Sequence, residues 1–289
     1  MSISRRLAVF LFAAFCASSA MATGHGPVFG YATPVNSTGE WSLDIGFNAR
    51  HFSAGTDAVI RSMVSYGITP HVQASVIIPG FLESAPGAPT RTMGMGDFEG
   101  DLAWRFHHNA TAVGTRFEST LTAGVVVPGV QRMPGVMGML RRAPGVNLAL
   151  ATGMASRSHY LWAGAGYTWF TEKQGDQRPD VFSYSLVWGY RPPSWRRHDY
   201  PAWDWRLFAE MTGDAWSHAQ HLGGAMPGTQ GHTIFLGPTT LGIHKTLAIS
   251  GGVQFPIYRE AGSAFPRERV RYAINLSYFL FTNHNHHGD

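Results

Sequence analysis

The chain is short of charge and nearly without lysine: Lys173 and Lys245 are its only lysines, and charged residues make up 14% of 289. That share is roughly half of what a soluble domain carries. Cys16 is the single cysteine, so no disulfide framework can hold the fold. Beyond the N-terminal segment no apolar run reaches the roughly 18–20 residues of a spanning helix, and mean hydropathy is only −0.08. Aromatics at 13% exclude a disordered chain. What is abundant is glycine, 34 residues, with Trp, Tyr and Phe. The class left standing is a Gly- and aromatic-rich all-β protein.

The first 22 residues read as targeting. Arg5 and Arg6 precede an apolar run from Leu7 to Cys16, and Ala20-Met21-Ala22 is a small-x-small cleavage site. This is the pattern of a secretory signal peptide (1–22), cut before Thr23. Export would remove two arginines and the only thiol, leaving a nearly neutral chain. So small a basic excess argues against a nucleic-acid partner.

From Glu40 onward the period is two. In Trp41-Ser42-Leu43-Asp44-Ile45-Gly46-Phe47-Asn48-Ala49-Arg50 each odd position is apolar and each even one small or polar. Successive strand side chains point to opposite faces, so one face is greasy and the other wet. The pattern predicts about twelve strands. They fall near 40–53, 57–67, 71–80, 94–106, 115–127, 145–155, 159–171, 180–190, 202–213, 231–243, 245–258 and 269–281. The tenth, which contains Pro238, alternates poorly.

Charge placement separates a membrane barrel from a soluble sandwich. Ionised residues keep to one phase within a strand, as in Asp97, Glu99, Asp101 and Arg105, or Asp204, Arg206 and Glu210. A solvated sandwich face would carry abundant Lys and Glu. A cation on the lipid face at mid-bilayer costs about 2–4 kcal/mol, which forces charge inward. Connection lengths agree: 81–93, 128–144 and 214–230 are long, whereas 68–70, 156–158 and His244 are short, and they alternate as in an up-and-down barrel. The links 54–56, 107–114 and 191–201 break the alternation. The expectation is therefore a membrane-spanning, up-and-down antiparallel β-barrel over 40–281. A periplasmic N-terminal segment (23–39) precedes it and a His-rich tail (282–289) follows.

Several segments resemble a known family. Tyr66-Gly67-Ile68-Thr69-Pro70 opens a strand ending at Pro79, and Gly94-Met95-Gly96-Asp97 opens one closing on Trp104-Arg105-Phe106. With Val125–Gly129 and Gly252–Tyr258, in this order, they are similar to the MetA-pathway phenol-degradation family of transporter-like outer-membrane barrels. The resemblance runs from about Trp41 to Phe281 and implies a transport or channel role, with no catalytic residues. Two features depart from it: the 214–230 loop, and the eight residues that follow Phe281 where the family pattern ends on an aromatic.

Candidate chemistry lies in the lumen and at the termini. Asp44, Asn48, Arg50, Asp101, Arg105, Arg116, Glu118, Asp204, Arg206, Glu210, Arg271 and Asn275 are expected to line the interior. There they either tune a polar conduit or knit it shut. Polar replacements should be tolerated at these positions, and charge should not be at Leu43, Phe47, Leu207 or Ile274. Cleavage after Ala22 would leave His25 third in the chain, where amine, amides and imidazole suit square-planar Cu(II) or Ni(II). His284, His286 and His287 would lie on the same side. Met93, Met95, Met133, Met137, Met139 and Met226, with His218 and His221, are thioether and imidazole candidates near the loops. The plain alternative is that these histidines are solvated and the methionines pack lids.

Catalysis has little support: Ser158-His159 and Ser217-His218 are adjacent but lack a Gly-x-Ser-x-Gly elbow and an orienting carboxylate. The tryptophans sit mostly near strand ends, as interfacial girdles do. Arg191–His198 is a basic, proline-bound turn. The reading is an exported, non-enzymatic bacterial outer-membrane protein in contact with lipid and lipopolysaccharide. It would pass a small aromatic or metal solute. The alternatives are a non-conducting barrel that sequesters metal through His and Met, or a lipid-modifying barrel. No resident cofactor is required, beyond Cu or Ni at the termini.

Overall fold

A computed structural model describes residues 26–53, 55–83, 97–129, 139–195, 202–264 and 267–281. The segment read as a signal peptide, His25, the tail with His284, His286 and His287, and Met93, Met95, Met133 and Met137 lie outside the described residues.

Twelve antiparallel strands close into one barrel. They are β1 (Glu40–Phe52), β2 (Gly55–Thr69), β3 (Val72–Glu83), β4 (Phe98–Ala112), β5 (Thr115–Val127), β6 (Gly145–Ala155), β7 (His159–Phe170), β8 (Val181–Tyr190), β9 (Asp204–Trp216), β12 (Gly231–His244), β13 (Leu247–Ala261) and β14 (Glu268–Phe281). A small hairpin, β10 (Gln220–His221) with β11 (Gly224–Ala225), stands in the loop between β9 and β12. Each barrel strand pairs with its neighbours in chain order, and β14 closes on β1 from Glu40↔Phe281 onward. Closure leaves no free sheet edge, the condition for crossing a bilayer with strands.

The alternation read from sequence is the partition in space. On β14, Ile274 is 61% exposed on the outer face while its neighbour Asn275 is 9% exposed inside. Leu43, Ile45, Val76, Leu186 and Leu276 are likewise exposed, while Asp44, Arg61, Glu118, Glu210 and Arg271 are buried. Pro238, on the lipid face, has no N–H to give, and β12 leaves its ladder with β13 between Leu236 and Thr239.

Two expectations need correction. The 107–114 connection is strand rather than loop: β4 runs to Ala112 and turns through Val113-Gly114 alone, with Gly114 at φ 74°. That positive φ is free only to glycine, and with it one break in the loop alternation disappears. The second concerns 23–39, expected in the periplasm. Residues 26–36 instead run inside the barrel from mid-depth to the short-turn end, and Val28, Tyr31, Thr33 and Asn36 are buried there. Their backbone groups meet polar wall residues that lie 37–182 positions away in sequence, a pairing that no local pattern encodes.

Candidate functional site

The internal segment is seated by side chains because it forms no strand of its own, and its buried N–H groups require acceptors. Glu210, fully buried on β9, supplies them. Its carboxylate accepts the backbone N–H of Val28 at 2.7 Å, Phe29 at 2.7 Å and Gly30 at 2.8 Å, and the Thr239 hydroxyl donates to it as well. Further down, Tyr31 N–H donates to Ser185 Oγ at 2.8 Å and Thr33 Oγ1 to Glu118 at 3.1 Å. Thr120 donates to the Thr33 carbonyl at 2.6 Å, and Asn36 N–H to Gln73 at 2.7 Å. Tyr31 packs on Ala149 and Ala151. Opposite them a Cβ on Gly164 would collide with the Tyr31 ring. Small residues on the inward phase of β6 and β7 make the room, and that run of Ala and Gly was the one sequence signal of an internal occupant.

Towards the long-loop end the interior is cross-linked by ion pairs. Arg271 pairs with Asp214 at 3.0 Å and Glu268 at 2.5 Å and lies 3.6 Å above the Phe235 ring. Arg61 meets Glu99 at 2.8 Å, and Arg178 meets Asp97 at 2.5 Å while stacking on Phe170. Arg50 lies opposite Arg271 on one side and Asp57 on the other. Ser277 donates to Asp44, Asn147 to Asp101 at 3.0 Å, and Asn275 to Ser250 at 3.4 Å. Asn48, across from Val59 and Ala273, shares this inward phase. All twelve residues expected in the lumen face inward. Arg61, Asp97, Arg178, Asp214 and Glu268 join them, and of these Arg178 lies in a connection where strand phase has no meaning.

Outside the barrel wall, Asp176 ties three connections together. It accepts Leu222 N–H at 3.0 Å, Arg141 N–H at 2.9 Å and His221 Nδ1 at 2.8 Å. The Leu222 and Arg141 backbone donors pull its pKa down to about 2, with His221 adding to them. His221 is thus spent on a carboxylate, and Met226 packs on the cluster of Leu140, Val181, Trp216 and Ala219. Among the described residues no three His, Cys, Asp or Glu are grouped to hold a metal. Ser156 Oγ accepts the His159 N–H at 2.9 Å in the β6–β7 turn, and Ser217 Oγ accepts Asp180 N–H at 2.9 Å. The Ser217 hydroxyl is thus engaged by a backbone group of a neighbouring connection.

At the short-turn end the internal segment leaves a vestibule of about 380 Å³ between Pro34–Val35 and the wall. Arg105, Arg116 and Arg206 line it with Glu118, Glu40, His108, Tyr160 and Trp162. Glu118 is shared by Arg105 at 3.0 Å, Arg116 at 3.2 Å and His108 at 3.5 Å. Asp204 is shared by Arg191 at 2.5 Å and Arg206 at 2.9 Å.

A closed antiparallel barrel with a polar, charged interior and an apolar outer surface is the fold of bacterial outer-membrane proteins. Among solved structures, an outer membrane channel from Pseudomonas putida F1 is similar over 88% of this chain and 100% of its own, with a TM-score of 0.64 at 12% identity. The NanC porin is similar over 82% of this chain and 98% of its own, with a TM-score of 0.51 at 10% identity. No family model and no curated protein sequence matches the chain. The likeness is one of fold, while the phenol-degradation resemblance stays with the turn motifs that carry it.

Proposed function

We propose that the chain is a passive outer-membrane channel for a small solute, held closed in this conformation by residues 26–36. The observation that carries the reading is Glu210. A carboxylate in mid-lumen holds three consecutive backbone N–H groups of a segment that belongs to no strand. A removable occupant held by side chains alone is how a conduit is shut without rebuilding its wall. The similarity to an outer membrane channel supports the same reading, as do the parity of the connections and the signal-peptide pattern, which argue for the bacterial outer membrane with lipopolysaccharide around the barrel. The cargo we favour is a small aromatic compound, in line with the family resemblance, with a metal species second.

Planar-bilayer recording tests the proposal. The mature chain should give small or infrequent currents, and deletion of residues 26–36 should give larger, persistent steps. Silence from both chains removes the channel.

The second reading is a non-conducting barrel whose termini and loops bind Cu(II), Ni(II) or Cu(I) through His25, His284, His286, His287 and the loop methionines. The ion pairs that fill the long-loop half of the lumen favour it. It predicts silence in bilayers together with a visible copper absorption band on titration.

A further inference from the structure

The exposed charge at the short-turn end has one sign. Arg157 in the β6–β7 turn and Lys245 in the β12–β13 turn are exposed, and neither has a carboxylate partner among the described residues. Nor does any exposed carboxylate stand at this end among those residues. Glu40 and Glu118 are buried, and Asp204 is held by Arg191 and Arg206. At the long-loop end both signs are exposed, Glu172 and Glu260 with Lys173, Arg267 and Arg269. A cationic surplus confined to one rim of a membrane barrel meets the headgroups of one leaflet.

Each unspent cation stands next in sequence or nearly so to an imidazole on the lipid side. His159 shares the outward phase of Leu161, and its ring lies 5.2 Å from that of Tyr190 and 6.3 Å from that of Trp188. His244 shares the outward phase of Leu236 and stacks on Trp203 at 5.3 Å and 25°, with Trp205 a further 5.5 Å along. Aromatic rings at strand ends mark the headgroup level. The ring nitrogens of His159 and His244 and the charges of Arg157 and Lys245 therefore reach the depth of a lipid phosphate. The Arg191 N–H donates to the Ser158 carbonyl at 2.8 Å, tying the β6–β7 turn to the β8–β9 connection. That connection is the basic, proline-bound turn, and its single helical turn Pro193–Trp195 leaves Trp195 exposed. Basic and aromatic groups thus follow the rim from β6 round to β13.

We propose that this arc binds the phosphate of anionic phospholipid headgroups in the leaflet at the short-turn end. The phosphate oxygens accept from the imidazoles and neutralise Arg157 and Lys245, while the acyl chains lie on the exposed Leu161, Leu186 and Leu236. A choline headgroup brings its own cation, which a rim without exposed carboxylates does not hold. The proposal needs the barrel to cross a membrane and does not need it to conduct.

Quenching of tryptophan fluorescence by brominated lipid tests this. The full-length mature chain is inserted in phosphatidylcholine vesicles holding rising fractions of dibrominated phosphatidylglycerol or, separately, dibrominated phosphatidylcholine. The glycerol lipid should compete for the protein surface about fivefold better, the strength of one cation at a charged headgroup layer. Arg157→Gln combined with Lys245→Asn should bring the preference below about twofold. Asparagine is chosen because residue 245 has φ 54°. Arg267→Gln, at the opposite rim, should leave the preference unchanged. If the double variant does not fold, Lys245→Asn alone should cut the preference by about half. Equal quenching by the two lipids in the parent overturns the proposal, as does a preference that survives in the folded variants or one that Arg267→Gln abolishes. Bilayer currents without the lipid preference would remove the rim site and spare the channel, while the preference in a silent barrel would do the reverse.

Discussion

Glu210 and Gly30, 180 positions apart in the chain, are joined at 2.8 Å in the middle of the barrel, carboxylate to backbone N–H. The bond is one of three that the same carboxylate makes to consecutive residues, and together they fix a segment that has no ladder of its own.

Glu210→Ala should therefore free the segment without opening the wall. Hydrogen bonds to a charged group contribute about 1.5–3 kcal/mol each, so amide exchange at residues 28–30 should accelerate at least tenfold. Exchange in the β8–β9 ladder should stay slow. Equal protection of residues 28–30 in both chains would show that Glu210 is not the anchor.

Gly164→Leu should expel the segment by volume. A side chain there occupies the place of the Tyr31 ring, whereas the outward residues of β7 are untouched. Limited proteolysis of the folded variant should trim residues 26–36, which the parent protects, while the barrel band persists on a semi-native gel.

The outer and inner faces should differ in their tolerance of polar replacement. Ile274→Arg places a cation on the lipid face and should lower stability in vesicles by about 2–4 kcal/mol. Asn275→Ser, one residue along and inside, should change it by well under about 1 kcal/mol. Denaturant unfolding in lipid vesicles measures both, and equal losses would mean that the faces are misassigned.

The loop assembly at Asp176 should fail only in strong acid. Its pKa is depressed to about 2, against about 3.9 for a free aspartate. The stabilisation is therefore complete above roughly pH 4 and drains away as pH falls through 2. Protection of the Leu222 and Arg141 amides should hold from neutral pH to about 4 and collapse below it. In Asp176→Ala, which keeps no acceptor, they should be unprotected throughout, leaving no such transition.

Much of this was legible beforehand. The alternation from Trp41 to Arg50 and from Val270 to Leu280 fixes which side chains meet lipid, and the segregation of Asp, Glu and Arg says which face cannot. Strand count follows from the same period. The C-terminal end of β4 was misread because His107, His108 and Asn109 are polar on both faces: the strand there runs past the first residue of β3 and has no greasy face to declare. Arg178 carried no phase because it sits in a connection. The arginine-lined vestibule was half visible, since Arg105, Arg116, Glu118 and Arg206 were assigned to the lumen, yet nothing along the chain says that they converge beside Pro34 and Val35.

By itself the sequence determined a two-faced sheet that must close, because alternation is a local property and each residue carries its own preference for water or hydrocarbon. Only the tertiary structure decided what occupies the interior and which charges neutralise one another. Those outcomes depend on groups brought together by the shear and closure of the barrel, and the segment that fills it is satisfied by acceptors on strands it meets nowhere along the chain.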